Sequence, residues 1–496
     1  MRLSGIQSTR FFHHVPRRIR HVPAQDVDVV PNSLQKTLEA HRSSNRARLI
    51  RKIYPRTPAA GLFRPLIPPK NRVGYLPPEP AKPVPDESDI KKPGKKRARS
   101  RIPETNPRGP ENSSINAVRS ADHAAPEQNP WLSFLAPVNV IDTVTQLGAE
   151  IQALDRYLAP SVNEQSQITQ VSTEVQSLLE PVGSQPSQII GSHHTGLALA
   201  YSDLNFLLYF EDLPRSRHNP RGPSATRPKI RDAHINLLRQ VESMLQGNPV
   251  FTGQVHWSTQ GRSVLEARHR PTGLRLRFHC GERVPALTSY IRDYLLENPA
   301  LRPLYTGARV LLESGGLFGS SQASIAPEAL AMLVIAFLKM NHGRYLGSQH
   351  LGEQFLGFLQ LYGTDINLQS MGVAVEPPSF FGAEILRPST GEDEPVYRRG
   401  QRSLISAKRT AAVKGNLLMD RRLCIQDPTH FMNDLGRSCT RTPELQNALS
   451  AAHERLSHAC DTWEGSEKGT SILTTALRAN FDQLDKTRGR IIHPVN

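Results

Sequence analysis

Residues 188–206 run Gln188-Ile189-Ile190-Gly191-Ser192-His193-His194-Thr195-Gly196-Leu197-Ala198-Leu199-Ala200-Tyr201-Ser202-Asp203-Leu204-Asn205-Phe206. A short apolar run closes at Gly191, and a second, Leu204 to Phe210, follows Ser202-Asp203. The order expected is strand, glycine turn, strand. Taken alone, Gly191-Ser192 is an ordinary tight turn and Asp203 an ordinary surface or capping carboxylate. The flanking segments decide between that and something more specific.

Upstream, Val138, Ile141, Val144, Leu147, Ile151, Leu154 and Leu158 recur at three- and four-residue steps, the mark of an amphipathic helix, with Asp142 placed to cap its first turn. After Pro160-Ser161 a second helix carries Ile168, Val171, Val175, Leu178 and Leu179 on one face and ends at Pro181. Downstream, a polar, proline-broken loop (Pro214 to Pro228) precedes a helix from Asp232 to Leu245. Ser263 to His269 and Leu274 to Cys280 then read as a hairpin turned at Pro271-Thr272-Gly273. The remainder is helical: Ala286 to Leu296, Leu301 to Leu312, Pro327 to Met340 and Leu351 to Leu361, Pro327 being suited to a helix start. Arg387 to Lys414 shows no apolar periodicity and is expected to be a solvated, flexible insertion. The fold class expected is α+β, a small mixed sheet with helices followed by a mainly helical second domain.

The chain has 496 residues, 61 Lys+Arg and 45 Asp+Glu, and the excess positive charge is not evenly spread. Through Pro130 there are 25 basic and 11 acidic side chains; beyond it the counts are 36 and 34. Nineteen of the 40 prolines also precede Trp131. Residues 1–130 are therefore expected to form a disordered, basic, proline-rich tail. Its first 25 residues hold Arg2, Arg10, Arg17, Arg18 and Arg20 with no acid before Asp26, the composition of a mitochondrial transit peptide. The cluster Lys91, Lys92, Lys95, Lys96, Arg97, Arg99, Arg101 serves equally as a nuclear address or a phosphate-binding patch; of the two destinations the mitochondrion is favoured. No apolar window reaches the ~18 residues of a membrane span, so no membrane partner is expected. Four widely spaced cysteines, Cys280, Cys424, Cys439 and Cys460, without a CxxC pair, suggest reduced structural thiols.

Gly191-Ser192, Gly196-Leu197 and Ser202-Asp203-Leu204-Asn205 together resemble the GS…G…SDxD signature of the polymerase-beta-like nucleotidyltransferases. Within them the chain looks most like the poly(A) RNA polymerases and terminal uridylyltransferases. Arg268 to Leu274 is similar to the hairpin that carries the third acidic position of the palm, and Leu351-Gly352, Phe355 to Phe358 and Tyr362-Gly363 to the poly(A)-polymerase-associated segment. Asp427-Pro428 with Asn433-Asp434-Leu435-Gly436-Arg437 looks like the nucleotide-recognition loop. The resemblance covers about residues 131–460. It implies a palm over 131–285 with its leading helices, a helical associated domain over 286–460 holding the 387–414 insertion, and a C-terminal extension over 461–496. It also implies RNA and a nucleoside triphosphate as substrates and Mg²⁺ or Mn²⁺ as cofactor. Gly191, Ser192, Ser202 and Arg309 are then expected on the triphosphate, and Asn433 and Asp434 at the base. His193 and His194 flank the turn; as exposed loop histidines they carry no strong claim.

Two-metal phosphoryl transfer needs three carboxylates converging on cations ~3.5–4 Å apart. The resemblance gives only one, Asp203. The second position holds Asn205, which still offers a neutral oxygen, and the third, aligned on Gly273-Leu274, holds Arg275. A guanidinium ~4 Å from a divalent ion is repelled by roughly 8 kcal/mol at an effective dielectric of about 20, before side-chain swing relieves it. Where the family places a serine–tyrosine pair for the phosphates and base, this chain has Pro327-Glu328. Two functions stay open. One is a degenerate member that binds RNA or a protein partner, the tail contributing. The other is an active RNA adenylyl- or uridylyltransferase using Asp203 with carboxylates from elsewhere, Glu211, Asp212 or Glu266. The palm cleft between the two domains is the place to look in either case, since domain interfaces favour such pockets.

Overall fold

In a computed structural model, the residues described are 119–120, 129–135, 142–182, 185–209, 227–258, 264–281, 284–319, 323–345, 350–387, 394–463 and 470–494. The expected transit peptide, the basic cluster at 91–101, Val138, Ile141, Glu211 and Asp212 lie outside them.

Helix α1 (Thr143–Leu158) starts as its sequence dictates, with Asp142 Oδ1 accepting from the Thr145 N–H at 2.7 Å. Helix α2 (Val162–Leu179) opens with a capping box, Ser161 and Glu164 each satisfying the other's backbone N–H. Strands β1 (Gln188–Ile190) and β2 (Leu204–Tyr209) flank the glycine turn, which also contains one helical turn, Ser192–Thr195. Helix α3 (Arg227–Gly247) leads to β3 (Val255–Ser258), β4 (Val264–Arg268) and β5 (Arg275–Gly281). The five strands form one mixed sheet in the order β1-β2-β5-β4-β3, with β2 and β5 parallel and the other neighbours antiparallel.

Alternation along these strands sorts the two faces of the sheet. Leu204, Phe206 and Leu208 of β2, Leu265 and Ala267 of β4, and Leu276 and Phe278 of β5 pack against Ile168, Val171 and Val175 of α2 and Leu238, Val241 and Leu245 of α3. Phe206 and Phe278 stack in that core with centroids 5.4 Å apart. The opposite face carries the charged residues.

A second, larger core is helical. It joins α4 (Ala286–Glu297), α5 (Leu301–Ser314), α6 (Pro327–Met340) and α7 (Leu351–Gln360), each within three residues of its expected bounds, Pro327 standing at the first helical position. Helix α1 also buries its face in this core, through Leu147, Ile151, Leu154 and Leu158, so the two leading helices divide between the cores. The expected insertion at 387–414 is corrected: past an undescribed stretch it forms helix α8 (Val396–Val413), which buries Gly400, Gln401, Leu404, Ile405 and Lys408. Leu404 and Ile405 join Ala374, Phe381 and Cys424 in a third small cluster, next to the hairpin of β6 (Gly372–Val375) and β7 (Pro378–Phe381). Helix α9 (Thr442–Thr462) and a segment ending in helix α10 (Asp482–Ile492) complete the fold. The last residues are no appendage. Ile472, Leu473, Leu477, Phe481 and Leu484 belong to the helical core, while Ile491 reaches the core under the sheet. No helix among the described residues is long and apolar enough to cross a membrane.

Candidate functional site

The charged face of the sheet is built by register. Asn205 of β2 stands beside Arg277 of β5 in the parallel pairing, and across the antiparallel pairs Glu266 faces Arg277 and Arg268 faces Arg275. Asp203, one residue before β2, shares the parity of Asn205. Gly191 enters the turn at φ +73°, and a Cβ there would stand 3.0 Å from Asn205 Nδ2, so the turn approaches this face as closely as glycine permits. Gly191, Asp203, Asn205 and Arg275 are thus brought together.

What assembles there is an ion-pair network. Arg275 Nε lies 2.9 Å from Asp203 Oδ1, without hydrogen-bond alignment, and Arg277 Nε lies 3.4 Å from Oδ2. Arg277 also reaches Glu266 Oε1 at 3.3 Å, and His256 Nε2 lies 3.2 Å from Glu266 Oε2. Asn205 offers little to a cation: its Oδ1 is 3.2 Å from His279 Nε2 and its Nδ2 donates to the Asp203 carbonyl at 3.2 Å. A divalent ion at Asp203 has to displace two guanidiniums from that carboxylate, and among the described residues no second carboxylate is free to help, because Glu266 is held by Arg277. The described residues do not fit the two-metal clamp, and no group of three or more His, Cys, Asp or Glu among them is arranged to hold a metal ion. The sequence reading missed Arg277. It sits two residues beyond Arg275, on the same face by strand alternation, and is the true lateral neighbour of Asn205.

Two of the residues expected on the triphosphate, Ser202 and Arg309, are employed otherwise. Arg309 is buried, its guanidinium between the rings of Tyr201 (5.0 Å) and Phe318 (4.9 Å), with Nε 3.4 Å from Glu313 Oε2 and Nη1 donating to Ser202 Oγ at 3.3 Å. Ser202 Oγ also accepts from the Leu199 N–H at 2.9 Å. Both side chains lock the Tyr201–Ser202 turn from inside, a correction of their expected role on phosphate. His193 points its Nε2 at the Ser202 carbonyl, 3.3 Å away, and burial pushes its ring below the ordinary histidine range. His194, by contrast, lies against Arg292 at the surface.

Asn433 and Asp434 form a loop of their own. Asp427 Oδ2 accepts from Asn433 Nδ2 at 2.9 Å, and its Oδ1 caps the Thr429 and His430 N–H groups. Asp434 Oδ1 accepts from the Ile425 and Gly436 N–H groups at 3.1 and 3.0 Å, while its Oδ2 lies 3.3 Å from Arg422 Nε, both side chains nearly inaccessible. Asp434 therefore builds the loop, and Asn433 is left exposed at its tip. Glu328 follows Pro327 in the first turn of α6 and faces solvent, where its charge suits the helix N-terminus.

Known proteins share this arrangement of sheet, turn and helices. The polymerase core of TRAMP, an RNA surveillance complex, superposes with a TM-score of 0.55 at 17% identity, over 71% of this chain and 99% of that one. In sequence, the chain is 25% identical over 197 residues to poly(A) RNA polymerase protein 1 of Eremothecium gossypii, covering 38% of this chain and 28% of that protein. It is 22% identical over 354 residues to the inactive poly(A) RNA polymerase protein Trf4-2 of Drosophila melanogaster, covering 69% and 75%. In sequence and in fold, this chain is similar to nucleotidyltransferases of the poly(A)/poly(U) polymerase type. No family model matches it. It spans under a third of the length of the Eremothecium relative. The ion pairs of Asp203 stand where the resemblance placed a metal clamp.

Proposed function

We propose that the chain is a polymerase-type protein that binds RNA, or a protein partner in RNA 3′-end processing, without adding nucleotides itself. The observation that carries this reading is the pair of guanidiniums on Asp203. The name of the Drosophila relative as inactive agrees with it. We further propose division into a basic tail over 1–130, a palm, and a helical associated domain; delivery to the mitochondrion rather than the nucleus; and use of the tail in partner binding. The tail's composition supports the last two.

The test is 3′-extension of a labelled oligoribonucleotide with each nucleoside triphosphate and Mg²⁺ or Mn²⁺, RNA binding being measured on the same samples. The natural chain is expected to bind and not extend. Extension that vanishes in Asp203→Ala would sink the reading and bring back the active transferase drawing carboxylates from elsewhere. Activity appearing only in Asn205→Asp combined with Arg275→Asp or Arg277→Asp would show a scaffold lacking nothing but its clamp, and would tell which arginine holds the third position. Imaging the full chain beside one lacking residues 1–130 tests the address; a nuclear signal overturns the mitochondrial assignment.

A further inference from the structure

The charges of the old clamp cancel. Arg275 and Arg277 are answered by Asp203 and Glu266, so neither guanidinium is free to hold an anion. The uncompensated charge lies one step further out. Arg268 stands directly across the strand pair from Arg275, an arrangement of like charges that costs stability unless something offsets it. No carboxylate lies within ion-pair distance of Arg268, Arg270 or Arg490 among the described residues. Together these three arginines line a pocket of about 600 Å³, with Gln254 as a neutral polar group and Pro249 and Pro271 as walls. Arg490 comes from α10 and is fixed on the hairpin turn: it lies over Gly273, where a Cβ would meet its Cδ at 3.0 Å, and it donates to the Arg270 carbonyl. Arg268 forms a half-buried floor, and Arg270 and Arg490 an exposed rim. Burial first, and then Arg275 and Arg490, lower the affinity of Arg268 for its proton, against a smaller opposing pull from Asp203.

We propose that this pocket binds one phosphate group of an RNA strand. Guanidiniums converging from two elements match the tetrahedral oxygens of a phosphate better than flexible lysines do. The lining has no acidic group to repel it and no aromatic ring on which a base could stack, so the pocket grips backbone without reading sequence. The phosphate chemistry stands on the pocket alone; its source in RNA rests on the RNA-binding reading above.

The experiment uses the full chain, Arg270→Ala, and Arg268→Gln combined with Arg270→Gln. Arg270 is exposed and without a described partner, so Arg270→Ala is expected to fold normally. Binding of a labelled single-stranded oligoribonucleotide is measured across salt concentrations, and melting temperature is measured in inorganic phosphate against chloride at equal ionic strength. The double variant is expected to bind RNA about 10-fold more weakly, with the slope of log K against log salt shallower by about 0.7 for each phosphate no longer neutralised. Phosphate is expected to raise the melting temperature of the natural chain and not of the variants. Unchanged RNA affinity and slope in variants that melt like the natural chain overturn the RNA source. If the natural chain binds no RNA, the RNA-binding reading fails and the phosphate arm judges the pocket. Equal response of all proteins to phosphate overturns the pocket itself.

Discussion

Asp203 holds two arginines apart from each other as much as they hold it. With its carboxylate removed, Arg275 and Arg277 would stand side by side on β5, Arg275 facing Arg268 on β4, with Glu266 the one anion paired to them among the described residues. Asp203→Asn is therefore expected to lower stability to chemical denaturant by ~1–3 kcal/mol, between the cost of losing an exposed ion pair and that of breaking a buried one. It should at the same time tighten RNA binding and steepen its salt dependence, because two guanidiniums are released. An active two-metal enzyme would lose extension and gain no such affinity. At this scale the sequence was half legible. Asp203, Asn205 and an arginine in the third place could be read in order along the chain, and strand alternation was signal enough to include Arg277. Arg309 misled because a cation at the right place along a helix does not reveal its surroundings: Tyr201, Phe318 and Glu313 enclose it, and two of these come from other segments of the chain.

Helix α1 crosses α7 with no side chain between them at one point: a Cβ on Gly352 would lie 2.0 Å from the Val144 carbonyl oxygen. Because that approach is to backbone, no rotamer change relieves it, and Gly352→Ala is expected to cost ~1–3 kcal/mol or more through a forced shift of the helices. Two turns along α1, Glu150 is fully buried and accepts from Ser471 Oγ and from the Ile472 and Leu473 N–H groups. Burial holds its carboxyl above the ordinary 4.5, against the pull of those hydrogen bonds. The folded state then binds this proton more tightly than the unfolded chain. The contribution is fully present below the ordinary value and is lost as pH rises through the raised one. Glu150→Gln removes that dependence and cannot accept from every donor, so the natural chain's advantage over it should be largest at acid pH and shrink toward neutral, as denaturant melts at several pH values would show. A difference that grows with pH would contradict this account. Most helices announced themselves by apolar spacing; α9 and α10 were passed over, and so was α8. Its buried stripe runs Gly400, Gln401, Leu404, Ile405, Lys408, the spacing of one helical face. Gln401 is paired with Gln426 and Lys408 donates to the Arg422 carbonyl, so polar groups fill core positions that an apolar search passes over.

Across the whole molecule, residues 470–494 tie the two cores together. Arg488 forms two parallel hydrogen bonds with the buried Glu164, at 2.8 and 2.9 Å, and lies over the Tyr157 ring, while Tyr157 donates to Asp485 at 3.0 Å. Phe481 packs edge-on against Trp131 at 5.7 Å, joining the two far ends of the described core. Ending the chain at residue 469 removes apolar side chains from both cores at once and strands Glu164 without its partner. Such a chain is expected to lose cooperative unfolding in calorimetry and to aggregate, whereas Ile491→Ala, touching the sheet core alone, should fold with a loss of ~2–5 kcal/mol. A truncated chain that melts like the natural one would show the segment to be a mere extension. The sequence by itself determined the class of fold, the strand–turn–strand at the edge of the sheet, the hairpin, most helices and the scarcity of carboxylates around Asp203, because each is written in local periodicity, turn chemistry or residue identity. Only the tertiary structure decided that α1 joins the helical core, that the C-terminal residues bridge both cores, that Arg309 is enclosed, and that Asp203 is answered by two arginines. Those outcomes depend on which side chains meet across strand register and between distant segments, and a linear pattern carries no measure of that distance.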